Sequence, residues 1–292
     1  GTVMCSYPRV NDVHSSDNTW LLTEVLRRDW GFEGLVVTDW GALCDRVKAM
    51  RAGCDLSMPG GSTYMEDWVA EAVRNGSLRE AEVDACAARV LTLALRGKSR
   101  PKGKPFDQDA HDALAQKIAE QGAVLLKNED AILPLAEKDI VLIGEMARTM
   151  RYQGAGSSHI NPTRLTTLCD ALPDVPFIAG CDEKGTVTEA SLAAAVSAAK
   201  QTKTAVVCTG LPDIYESEGF DRETMAMPEG HCRLIDAVAA ANPNTVVVLF
   251  CGCAVETPWL DKVKAVLYMG LPGQAGGRAA ANLPLGRVAP CG

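Results

Sequence analysis

The chain has 292 residues, 47% of them apolar and 23% charged, with a formal net charge of −8. This composition supports a packed core and excludes a disordered, collagen-like or coiled-coil chain. The acidic balance lacks the basic surface that non-specific nucleic-acid binding needs. No apolar run reaches the roughly 18 residues of a membrane span, so neither nucleic acid nor membrane is expected as a partner.

Residues 2–6 (TVMCS) form a short apolar run. Leu21, Leu22, Val25 and Leu26 follow at helical spacing, and Gly31 closes that stretch. Residues 34–38 (GLVVT) then read as a buried strand, with a helix from about Ala42 to Ala52 behind it. Ser77 to Glu80 carries a capping-box pattern opening a long helix, on which Val83, Ala87, Val90, Leu91 and Ala94 share a face. Residues 97–107 are basic and rich in Gly and Pro, the composition of an exposed linker.

A second alternating series follows. Strands are expected at 140–144, 204–209, 245–250 and 264–268, each a nearly continuous β-branched run suited to a parallel sheet buried on both faces. Helices are expected at 109–122, 188–200 and 230–241. The length and the break near residue 100 predict two α/β units, the second of three layers.

Eleven cysteines show neither a disulfide framework nor paired metal knuckles. Several, such as Cys208 and Cys251, lie inside apolar runs, which predicts buried free thiols in a reducing, cytoplasmic setting. The Cys251-Gly252-Cys253 run at a strand end suits packing and a turn. His14, His111, His159 and His231 lack ligand spacing, so no metal and no cofactor is expected.

Three constellations can carry chemistry. Asp39, between Thr38 and Trp40, stands where an apolar strand ends, the position of functional groups in parallel α/β folds. A carboxylate beside a large ring suits a sugar, with the ring stacking on the pyranose and the carboxylate meeting the anomeric carbon. The alternative is that Asp39 caps the helix starting near Ala42. Residues 213–222 (DIYESEGFDR) hold four carboxylates and one Arg. Clustered like charges raise one another's pKa and keep a carboxylic acid protonated near neutral pH; the alternative is a solvated acidic loop. Residues 154–159 (GAGSSH) lack the Gly-Lys-Ser/Thr of a phosphate loop and suit a loop reaching towards a neighbouring site.

Taken together, these segments resemble glycoside hydrolase family 3, the β-glucosidase family. Residues 3–60 resemble the end of its barrel domain, with the S/T-D-W-G motif at Thr38-Asp39-Trp40-Gly41. KNEDAILPL (127–135), QGAGSSHINP (153–162), ESEGFDR (216–222) and HCRLIDAVAAANPNTVVVLFCGCAVETPW (231–259) resemble its second domain. The implied architecture is the C-terminal portion of a (β/α)8 barrel over residues 1–96, a linker at 97–107 and a three-layer α/β sandwich over 108–292. The implied activity is retaining hydrolysis of a small carbohydrate, a β-glucoside or cello-oligosaccharide. Asp39 matches the nucleophile and Glu218 the acid/base, with Glu216 as runner-up two residues away. Tyr7 matches a residue lining the glycone subsite, and Trp40 the aromatic on the aglycone side. A β-xylosidase or a non-catalytic remnant are the alternatives. ESEGFDR argues against the β-N-acetylglucosaminidase variant, which often dispenses with the second domain.

The departures from the family pattern matter as well. The glycone-binding Asp, Arg and Lys-His pair expected on earlier barrel strands do not precede Tyr7, and a barrel needs about 250 residues. The chain therefore reads as truncated at both ends and is expected to have little activity alone. Asp12 stands where relatives carry Gly, and GLPGQAGGRAAANLPLG (270–286) departs from the family, with Pro284 inside a helix or at its end.

Overall fold

A computed structural model describes residues 1–61, 63–103 and 105–292, so Lys104 of the expected linker lies outside the described residues. The chain divides into two compact units, Gly1–Lys104 and Pro105–Gly292. The α/β class is as expected.

In the first unit, β1 (Thr2–Cys5) leads into a hairpin of β2 (Arg9–Val10) and β3 (Val13–His14). Its two connecting residues, Asn11 and Asp12, have φ of 51° and 64°. A two-residue hairpin loop of this hand needs positive φ at both positions, which is why Gly suits position 12 and Asp is among the few side chains tolerated there. Residues Trp20–Asp29 wind as a wide helix that closes through the Trp30 N–H to the Val25 carbonyl, five residues back, and buries Leu22 and Leu26. Strand β4 (Leu35–Thr38) pairs parallel with β1, in register from Thr2 opposite Leu35 to Cys5 opposite Thr38.

The next helix, α1 (Arg46–Ala52), starts four residues later than the sequence suggests. Asp45 is its cap, accepting the Lys48 N–H at 3.0 Å, so the capping role considered for Asp39 is filled by another residue. Helices α2 (Thr63–Arg74) and α3 (Glu80–Lys98) follow, and the last turn of α3 takes in Gly97 and Lys98. The capping box is displaced by two residues. Ser77 lies in a tight turn with its hydroxyl on the Ala72 carbonyl, and Glu82 instead accepts the Arg79 N–H at 2.9 Å. The expected apolar face of α3 holds in part, with Val83 packed on the core and Val90 half-buried. Cys86 is buried against Met50, Ala72 and Leu78, whereas Ala87, Leu91 and Ala94 are exposed.

Asp55 anchors α3 from its buried side. Its side chain is fully buried and accepts from Arg89 of α3, from Arg27 of the wide helix and from the Val36 N–H of β4, each at 2.8 Å. One carboxylate therefore fixes two helices against a strand.

The second unit opens with α4 (Gln108–Gly122), capped by Asp107. Strands β5 (Val124–Asn128), β6 (Ile140–Ile143), β7 (Phe177–Ile178), β8 (Thr204–Gly210), β9 (Thr245–Phe250) and β10 (Ala265–Tyr268) form one sheet in the order β5-β10-β9-β8-β6-β7. Every neighbour pair is parallel except β5 with β10. Helices α5 (Leu168–Ala171), α6 (Glu189–Lys200), α7 (Glu229–Ala241) and α8 (Gly276–Asn282) complete the unit. Along β9, Val246, Val248 and Phe250 pack into one core with residues of α4, α5 and α8. Val247 and Leu249 enter the opposite core with residues of α6 and α7. Both faces are buried, as the uninterrupted apolar runs predict. Pro284 lies beyond α8 and interrupts nothing.

The weight carried by Asp55 is open to measurement. Asp55→Ala should lower the stability of the first unit by about 3 kcal/mol, because it leaves two arginines and a buried N–H without their acceptor. Urea denaturation that moves by less than about 1 kcal/mol would show that the helices hold their places without it.

Candidate active site

Asp39 follows the last residue of β4, and its backbone N–H bonds the Cys5 carbonyl of β1 at 3.0 Å. The strand end is fixed further by Thr38, whose hydroxyl exchanges bonds with the backbone of Met58. The Asp39 carboxylate accepts the Trp40 N–H at 2.6 Å and lies 3.2 Å from the Tyr7 hydroxyl, which also reaches the Trp40 carbonyl at 2.7 Å. Three of the four expected site residues, Tyr7, Asp39 and Trp40, thus meet at one strand end. Both rings are at least half exposed beside a half-buried carboxylate.

Glu218 belongs to the second unit, on the loop after β8. Its carboxylate accepts both the N–H of Ser157, at 2.7 Å, and the Ser157 hydroxyl. The Glu218 N–H meets the Ala155 carbonyl at 3.4 Å, so the glycine-rich loop and the acidic loop are joined by backbone as well. Gly156 makes the approach possible. Its φ is +88°, and a Cβ there would lie 2.6 Å from the Glu218 Cβ.

The electrostatics reverse the expectation for this loop. Hydrogen bonds from the Ser157 hydroxyl and N–H hold the Glu218 carboxyl below the usual glutamate range. The like charges that were to raise it are engaged elsewhere. Asp213 pairs with Arg151 at 3.0 Å. Glu216 is mostly buried, accepting the Gly252 N–H at 2.9 Å and the Cys253 thiol at 2.7 Å. Cys253, read from the sequence as a turn residue, is therefore a partner of the acidic loop.

Arg151 is the residue that sequence reasoning missed. It is 6% exposed, and its guanidinium donates to the carbonyls of Gln153, Leu211 and Glu216 at 2.8, 3.0 and 2.8 Å besides pairing with Asp213. It ties the strand end, the acidic loop and the base of the glycine-rich loop together. Backbone carbonyls carry no side-chain signature, so nothing in the sequence marks this arginine out. Among the described residues, no group of three or more His, Cys, Asp or Glu could hold a metal ion.

The family model described as "Glycosyl hydrolase family 3 C-terminal domain" matches residues 123–292, and that described as "Glycosyl hydrolase family 3 N terminal domain" matches residues 1–93. The chain belongs to glycosyl hydrolase family 3. Among curated relatives, an exo-alpha-(1->6)-L-arabinopyranosidase of Bifidobacterium breve is 42% identical over 100% of this chain and 41% of its own length. Thermostable beta-glucosidase B of Acetivibrio thermocellus is 43% identical over 99% and 40%. The solved GH3 beta-glucosidase of Bifidobacterium adolescentis superposes with a TM-score of 0.90 at 44% identity, covering 99% of this chain and 44% of its own. The chain therefore spans about two fifths of the length of these curated relatives.

The role of Arg151 predicts a specific loss. Arg151→Ala leaves one buried and two part-buried carbonyls without their donor, and should cost the second unit about 2 kcal/mol. Arg151→Lys has too few fork-shaped donors to restore it. Denaturation curves in which Lys matches Arg would contradict this reading.

Proposed function

We propose that the chain serves a retaining, exo-acting β-glycosidase, a β-glucosidase in the first instance, that removes terminal β-D-glucosyl residues by double displacement. In the first step Asp39 attacks the anomeric carbon while the bond to the leaving oxygen breaks and Glu218 gives that oxygen its proton. In the second, water attacks the glycosyl ester on Asp39, Glu218 takes the water's proton, and Asp39 leaves. Tyr7 borders the glycone and Trp40 the aglycone. We assign residues 1–96 to the C-terminal portion of a (β/α)8 barrel, 97–107 to a linker and 108–292 to a three-layer α/β sandwich.

The observation that carries the reading is the Asp39 carboxylate at a parallel strand end, steadied by a tyrosine hydroxyl and a backbone N–H between two exposed aromatic rings. The choice of glucose rests on relatives: two similar proteins are named beta-glucosidases, and a third, the Streptomyces venezuelae protein DesR, is a beta-glucosidase described in complex with D-glucose (27% identical, TM-score 0.89, covering 99% of this chain and 53% of its own). The eleven cysteines, all free, support a reducing, cytoplasmic setting.

A second reading, a pentopyranosidase, is favoured by the 42% identity to a protein named for L-arabinopyranosides and the 32% identity to an Aspergillus fumigatus protein named as a probable exo-1,4-beta-xylosidase. An α-L-arabinopyranoside presents an equatorial leaving group, as a β-glucoside does, so the same carboxylate pair serves either. The ratio of kcat/KM for the two aryl glycosides decides between them.

The test of the nucleophile uses a protein of the relatives' length that carries these residues. A 2-fluoro-β-glucoside should trap a covalent ester, and peptide mapping should find it on Asp39, with Asp39→Asn abolishing turnover at little cost in stability. A label on any other carboxylate removes the assignment.

A further inference from the structure

Glu218 is asked to hold a proton in one step and to take one in the next, yet its resting contacts all favour the ionised form. An N–H and an O–H, both from Ser157, converge on one carboxylate oxygen; the N–H can only donate, and the hydroxyl is set here as a second donor. We propose that Ser157 is a positioning residue that holds Glu218 as a carboxylate ready to act as base. The proposal rests on the assignment of Glu218 made above.

The geometry fits such a clamp. Its formation accompanies departure of the proton: as Glu218 protonates the leaving oxygen, the carboxylate left behind gains two donors, and it then waits for water in the orientation they impose. Reprotonation weakens both bonds, because a neutral carboxyl accepts less strongly than a carboxylate. The loop is built for close approach, since Gly156 brings its backbone against the Glu218 side chain with no room for a Cβ.

The neighbouring charges leave Ser157 in control. On the glycine-rich loop the nearest titratable group in sequence is His159. On the acidic loop they are Asp213, paired with Arg151; Glu216, bonded to Gly252 and Cys253; Asp221; and Arg222, whose guanidinium donates to the Ala254 carbonyl. The downward shift at Glu218 is caused by the two Ser157 bonds, with slight desolvation opposing it.

The full 292-residue chain, labelled with carboxyl-13C glutamate, tests this without any need for turnover. Glu218 is assigned by loss of its signal in Glu218→Gln. Its midpoint in the wild-type chain should lie below the ordinary glutamate range. Ser157→Ala removes one donor and should raise it part of the way. Gly156→Ala forces the loops apart and should raise it further. Ser157→Thr keeps both donors and should return it to the wild-type value. An ordinary midpoint in the wild type, or an unchanged one in Ser157→Ala, overturns the proposal. If Gly156→Ala does not fold, the Ser157→Ala and Ser157→Thr pair decides alone. A held Glu218 together with a covalent label on a residue other than Asp39 would keep the clamp and remove the functional reading, so the two failures are distinguishable.

Discussion

The guanidinium of Arg151 is the constraint on which the glutamate loop depends. The loop after β8 has no regular structure beyond a single turn at Asp213–Tyr215, and its sequence is crowded with like charges. Left to itself it would splay into solvent. Arg151 prevents this by donating to the Leu211 and Glu216 carbonyls on either side of the turn and pairing with Asp213 within it. Glu216 is then drawn in towards Gly252 and Cys253, while Glu218, two residues on, stays exposed and falls to Ser157. A buried cation thus accompanies one glutamate turned inwards and another left exposed.

The first unit solves a parallel problem with the opposite charge. There a buried carboxylate, Asp55, gathers Arg27, Arg89 and the Val36 N–H, and so places the strand whose end carries Asp39. In both units an ionic hub beneath the surface spends its hydrogen bonds on scaffold, and a second carboxylate of the same unit stays more accessible. Buried ion pairs are a weak source of net stability, and their better-attested use is to specify one arrangement among several. Fixing a loop or a helix face is that use.

Much of the fold was legible because burial writes itself into the sequence. Strands β6, β8, β9 and β10 have both faces covered and read as unbroken apolar runs. The strands at the two edges, β5 and β7, are half-exposed and two to five residues long, so their pattern was too weak to see. The start of α1 was misplaced for a local reason. Asp39 and Asp45 are both plausible caps six residues apart, and only the engagement of Asp39 with Tyr7 and Trp40 decides between them. The grouping of candidate residues was legible where it is local, as at Thr38-Asp39-Trp40. It was not where it depends on long-range contacts. The contacts of Glu218 with Ser157 join residues 61 apart in the chain, and no local pattern announces them.

The central claim is that Glu218, and not Glu216, is the acid/base catalyst. It is tested most directly by azide rescue in a protein of the relatives' length carrying these residues. With a dinitrophenyl β-glucoside the first step needs no proton donor, so Glu218→Ala should stall at the glycosyl ester. Azide fits the vacated space and attacks without a general base, restoring turnover and yielding the β-glucosyl azide. Glu216→Ala should show no rescue, because what it loses is a strut of the loop. Rescue of Glu216→Ala without rescue of Glu218→Ala would contradict the account and exchange the two roles.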